Sequence, residues 1–210
     1  MVNRARLIGV LLALSLMGGC VSSQVEIKRS YNFGAVKRVA VLNFNDSLGY
    51  PNSGSLVADV FAQKMLRLDY DIVERAELEK VLREQELSIS GVTDPAHLVR
   101  IGKIFGVNAI IVGSVHKFEE QRKEFVAVTR TTEGSATGGI VERTMPEVTV
   151  YPAAVSISCR MIDVETAEVV WIASGDYEGL TPYVATDYLV SSIVKKLEKF
   201  IKSRPPLTRI

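Results

Sequence analysis

The sequence predicts an α/β fold, a single compact sheet flanked by helices, with a β-hairpin arm inserted into it. Three observations carry the expectation. Short β-branched apolar runs alternate along the chain with stretches whose apolar residues recur at helical spacing. The last long stretch before the C-terminal tail is amphipathic in the manner of a helix with one buried stripe. Residues 118–152 fit neither period, because a charged run leads into two strand-like segments around a glycine-rich tip.

The first segment is governed by export. Arg4 and Arg6 precede an apolar run from Leu7 to Leu16, and Gly18 and Gly19 place small residues directly before Cys20. That order is a cleavable signal, and the run is short of the ~20 apolar residues that span a bilayer. Leu16-Met17-Gly18-Gly19-Cys20 resembles the lipobox of bacterial lipoproteins, in which the cysteine takes diacylglycerol, the signal is cut before it and the new amine is acylated. The resemblance makes Cys20 the lipid-attachment residue, and three acyl chains exceed the two signals that stable anchoring needs. In such lipoproteins Val21, in place of Asp, favours the outer membrane. Residues 1–19 are expected as signal peptide, 20–35 as a lipidated N-terminus and tether, 36–203 as the domain and 204–210 as a tail.

The elements follow in order. Val36–Phe44 is a buried strand. Asn45–Ser55, rich in Asn, Gly, Pro and Ser, is a loop. Leu56, Val57, Val60, Phe61, Met65 and Leu66 mark a helix, Tyr70–Val73 a short strand, and Ala76–Gln85 a helix with Leu78, Val81 and Leu82 inward. Asp94 suits an N-cap, Pro95 the first helical position and Gly106 the stop of a helix whose inner face is Leu98, Ile101, Ile104 and Phe105. Asn108–Val115 is a central buried strand. After the 118–152 arm, Tyr151–Met161 alternates as a half-buried strand with Ser156, Ser158 and Arg160 outward. Asp163–Glu168 turns the chain and Val169–Tyr177 returns it. The final helix carries Val184, Tyr188, Leu189, Ile193, Val194, Leu197, Phe200 and Ile201 on one stripe.

Composition limits the functions open to such a chain. Removing the first 19 of 210 residues leaves 191, enough for one domain with a substantial core. The formal charge of +1 includes Arg4 and Arg6, so the mature chain carries no basic excess with which to neutralise nucleic-acid phosphates. Cys159, the other cysteine of two, has no partner for a disulfide and reads as a small buried hydrophobe. His97 and His116 are the two histidines, and neither stands at a metal-ligand or general-base spacing. Gly134, Gly138 and Gly139 lack the strand-to-helix setting of a phosphate loop. Glu74 and Arg75 read as charges closing a strand, and Trp171 as a core anchor. No catalytic residue, cofactor or metal site is expected.

Several local patterns together resemble the curli-secretion CsgG/HfaB family. They are Val39–Phe44 (VAVLNF), the run from Val73-Glu74-Arg75 through Leu78, Val81-Leu82 and Glu84-Gln85, and then Gly91 with Asp94. Ile101-Gly102-Lys103, Gly106-Val107-Asn108-Ala109 and Gly113-Ser114-Val115 continue the match, and Ile162-Asp163, Thr166 and Val169-Val170-Trp171 close it, with Ala167 where Gly is usual. The resemblance spans roughly residues 36–202. It implies an anticodon-binding-type α/β domain facing the periplasm, in rings whose subunits each give two amphipathic hairpins to a membrane barrel. Residues 118–152 occupy the place of the first hairpin, and the place of the second holds a short loop, Gly175–Pro182.

The function so implied is that of a non-enzymatic outer-membrane lipoprotein, an oligomeric assembly or transport component for surface or secreted material. It would engage the membrane through lipid on Cys20 and other copies, or an envelope partner, through the 118–152 arm, with no nucleic acid and no small-molecule substrate. The alternative is a periplasmic regulator similar to the LpoB lipoproteins, activating a penicillin-binding protein or another envelope enzyme.

Overall fold

The computed structural model describes residues 22–74, 76–77, 80, 95–133 and 140–203. Its sheet strands are β1 (Ser22–Ile27), β2 (Arg38–Val41), β3 (Asp71–Ile72), β4 (Ala109–Glu119), β7 (Ala153–Asp163) and β8 (Val169–Gly179). Between β4 and β7 the chain makes β5 (Arg122–Glu133) and β6 (Ile140–Tyr151), which pair with each other. The helices are α1 (Ser53–Leu66), α2 (Pro95–Phe105) and α3 (Pro182–Lys202).

The sheet order is β1-β8-β7-β4-β2-β3. β2 lies parallel to β3 and β4, as α/β crossovers require, whereas β4, β7, β8 and β1 pair antiparallel. One face buries Val41, Ile111, Ile157, Met161 and Trp171 against α1 and α3, whose Phe61, Met65, Leu189 and Ile193 are fully enclosed. α2 covers part of the other face, setting Leu98, Ile101 and Phe105 on Ala40, Leu42, Ile110 and Ile162. The expected α/β class, one sheet with flanking helices and a separate hairpin, is the observed one.

Local chemistry explains the boundaries. Gly54 and Asn52 donate their backbone N–H to Asp46, at 2.7 and 3.0 Å, and Ser47 N–H donates to Ser53 Oγ at 2.9 Å. The Gly54 bond satisfies an orphan donor in the first turn of α1, and the other two fix the loop that leads into it. Gly106, at φ 60°, ends α2 in the left-handed conformation that glycine adopts freely. Thr181 Oγ1 accepts from Val184 N–H, and Pro182 opens α3.

Some expectations need correction. Part of the segment expected as a tether is β1, an edge strand paired with β8 from Ser22↔Asp176 to Ile27↔Trp171. Its Val25 and Ile27 alternate inward, a short signal easily absorbed into the leader that precedes it. The loop expected over Gly175–Pro182 shrinks to Leu180 and Thr181, because β8 runs on to Gly179. Tyr188 is 55% exposed rather than on the buried stripe of α3, which takes Ala185, Thr186 and Val190 instead. Ile104 is likewise exposed on α2. Most of the helix expected over Ala76–Gln85, together with Asp94 and the tip at Gly134, Gly138 and Gly139, lies outside the described residues.

Candidate functional site

The arm grows from the row of residues that ends the β4–β7 pairing. That ladder reaches Glu119↔Ala154, and the arm's own ladder begins at Arg122↔Tyr151 and continues to Glu133↔Ile140. Pro152 stands at the break. It has no N–H to donate, so the hydrogen-bonded ribbon is interrupted and the arm forms a separate two-stranded sheet.

Opposite residues of an antiparallel pair share a face. Phe125 faces Val148 and Lys123 faces Val150, so one face of the arm root is apolar, with Phe125 74% exposed. The other face carries Arg122, 4.8 Å above the ring of its opposite number Tyr151, and Glu124. Toward the tip the register reaches Arg130↔Arg143 and Thr131↔Glu142. Neither face therefore carries an unbroken apolar band of the ~9–11 residues that a membrane strand needs. Both outer edges of the arm lack a partner strand among the described residues. An isolated hairpin is marginal in water, and free edges are templates for pairing.

The N-terminus leaves from the same end. β1 is antiparallel to β8, so Ser22 lies three residues short of the β8 terminus at Gly179. The start of β1 is held to α3 by a Ser23–Ser192 hydroxyl hydrogen bond of 2.9 Å and by Lys196 Nζ donating to the Ser23 carbonyl. Cys20 itself lies outside the described residues.

The remaining candidates scatter. Cys159 is buried in the core, and burial pushes its thiol up, away from thiolate chemistry. Trp171 is 1% exposed and anchors the core beside Phe61. Glu74 is exposed, and Arg75 lies outside the described residues. His97 is half-buried on α2. His116 lies within β4, at the irregularity between Val115 and Lys117, and its Nε2 shares a hydrogen bond of 2.7 Å with Ser158 Oγ. Sequence spacing could not reveal that contact, since β4–β7 register brings together residues 42 apart.

Ser158 also lines a cleft of about 250 Å³ on the sheet, with Asn45, Ser114 and Arg160 beside the apolar Leu42, Val112 and Ile172. A serine nucleophile further needs a group that orients the histidine and preorganised oxyanion donors. The described residues bring no carboxylate to His116, and the Ser158 backbone belongs to the β-ladder. Among the described residues no cluster of three or more His, Cys, Asp or Glu side chains could hold a metal.

A family model described as curli production assembly/transport component CsgG matches residues 22–180. A PelC dodecamer from Paraburkholderia phytofirmans superposes with a TM-score of 0.50 at 14% identity, covering 88% of this chain and 100% of that one. Lipoprotein GNA1162 from Neisseria meningitidis gives 0.51 at 15%, covering 78% of this chain and 99% of that one. The LpoB C-terminal domain from Salmonella enterica gives 0.42 at 13%, covering 80% and 92% respectively. No curated protein matches.

Proposed function

Because this chain belongs to the CsgG family of curli production assembly/transport components, we propose that it is a lipid-anchored envelope protein that self-associates through its arm. In this reading it serves the assembly or passage of surface or secreted material. The observation that carries it is the β5–β6 ribbon. Among the described residues it pairs only with itself, presents Phe125, Val148 and Val150 to solvent and leaves two edges without a partner strand. Such a ribbon gains most by packing on, or adding strands to, a neighbouring copy. The dodecameric state of PelC supports a ring of copies on this fold.

Cys20 is the lipid-attachment residue of this reading, with the domain in the periplasm against the outer membrane. The charged register toward the arm tip speaks for contact between subunits rather than for a membrane barrel of CsgG type. In this reading the domain acts by binding, and among the described residues no carboxylate is brought to the Ser158–His116 pair.

Two measurements test this. Feeding cells an alkynyl fatty acid is expected to label the wild-type chain and not Cys20→Ser. A photo-crosslinker at Phe125 is expected to trap a ladder of self-adducts in membranes, while one at Leu66, exposed at the other end of the sheet, traps none. Monomer alone from both positions would exclude the arm as the contact between copies.

A further inference from the structure

The exposed apolar side chains are not spread evenly over the molecule. Leu48, 98% exposed, caps the turn that follows β2, where Tyr50 packs 5.8 Å from Phe118 at the end of β4. Leu180, 74% exposed, and Tyr183, 56% exposed, follow the end of β8 directly. β2 and β4 are parallel and β7 and β8 antiparallel to each other in one sheet, so these termini all lie at the end from which the arm grows. The arm, in which Phe125 and Val148 stand opposite each other, grows from the same end.

Chain reach says what this end faces. Cys20 precedes Ser22 by two residues, which span at most ~7 Å. Ser22 is fixed by its pairing with Asp176 and by the bonds from α3 to Ser23. An acyl group on Cys20 therefore cannot hold this domain at a distance, and the bilayer must lie close to the arm end. Isolated exposed leucines are ordinary on a protein surface. Two of them with a tyrosine at the anchored end have the composition of an interfacial contact, where aliphatic side chains enter the acyl boundary and Tyr sits at the headgroups.

We propose that the arm end of the sheet is a lipid-docking surface, on which Leu48, Leu180 and Tyr183 seat the domain flush against the bilayer that holds its anchor. The inference rests on acylation of Cys20. Docking fixes the direction of the sheet relative to the membrane, which a flexible tether would leave free. It also sets the root of the arm at the membrane surface, so arms of neighbouring anchored copies meet at one height.

The test uses the full-length acylated protein, extracted in mild detergent and returned to phosphatidylethanolamine–phosphatidylglycerol vesicles. Single-cysteine variants Leu48→Cys, Leu180→Cys and Ile104→Cys carry an environment-sensitive fluorophore. Cys159 is buried and stays unlabelled. Aqueous iodide is expected to quench the labels at 48 and 180 several-fold less than the label at 104, which lies on α2 at the opposite end. Equal quenching at all three, in chains that mass spectrometry shows to be acylated, would overturn the docking and leave the anchor standing. A Cys20 without lipid would overturn both.

Discussion

Ala167 occupies the left-handed region at φ 61°, in the turn between β7 and β8. An L-residue with a Cβ pays ~1–2 kcal/mol there. Ala167→Gly is therefore expected to stabilise the domain by about 0.5–1 kcal/mol, after the backbone-entropy cost of glycine. Urea unfolding at neutral pH checks it. The same turn hangs on Asp163, which accepts from Tyr31 Oη at 2.6 Å, from the Thr166 N–H at 2.7 Å and from the Glu165 N–H at 3.0 Å. Burial alone would push its carboxyl up, but the bonds from Tyr31, Thr166 and Glu165 outweigh that and hold it below the usual carboxylate range. A depressed folded-state pKa contributes stability above the unfolded value, ~3.9, and loses it as pH falls through the folded value. Asp163→Asn should thus cost about 1–3 kcal/mol at pH 7, and the gap to wild type should narrow below about pH 4. The turn residues were legible in the sequence as Asp163, Thr166 and an unusual Ala167. Tyr31 was not, because its contact with Asp163 crosses 132 positions and no periodicity reports it.

At the scale of elements, α1 and α3 share a charge pair inside their contact, Lys64 Nζ to Asp187 Oδ1 at 2.5 Å, with the lysine side chain 8% exposed. Asp187→Ala leaves that ammonium without its partner and is expected to cost about 1–3 kcal/mol. Lys64→Met combined with Asp187→Leu should recover most of it, as a double-mutant cycle by thermal unfolding would register. The arm behaves oppositely. Among the described residues β5 and β6 pair only with each other, so replacing residues 120–151 by a short turn should leave the Tm of the domain within about 2 °C of wild type. Helix ends were legible where Pro95 and Gly106 punctuate them, β7 by its apolar alternation and β4 and β8 as apolar runs, whereas Pro182, expected in a loop, opens α3. The arm was legible as an interruption, but its faces were not. Which of Lys123, Phe125 and Val126 shares a side with Val148 depends on register, and a shift of one residue would exchange the faces.

For the whole molecule, the sheet has one busy end. The N-terminal strand starts toward it, the arm leaves from it, and Leu48 and Leu180 are exposed on it, while its opposite end carries the stops of α1 and α2. The proposal of export and anchoring rests on the first twenty residues, where signal and lipobox patterns are local in sequence. The convergence of anchor and arm could not be read there, since it needs the antiparallel β1–β8 pairing that the expected tether concealed. Assembly through the arm is the central claim, and the mass of the full-length lipoprotein extracted in mild detergent, beside a variant lacking residues 120–150, tests it most directly. The account expects a discrete ring-sized oligomer for the wild type and a folded monomer for the variant. A wild-type monomer, or an oligomer that survives loss of the arm, would contradict it.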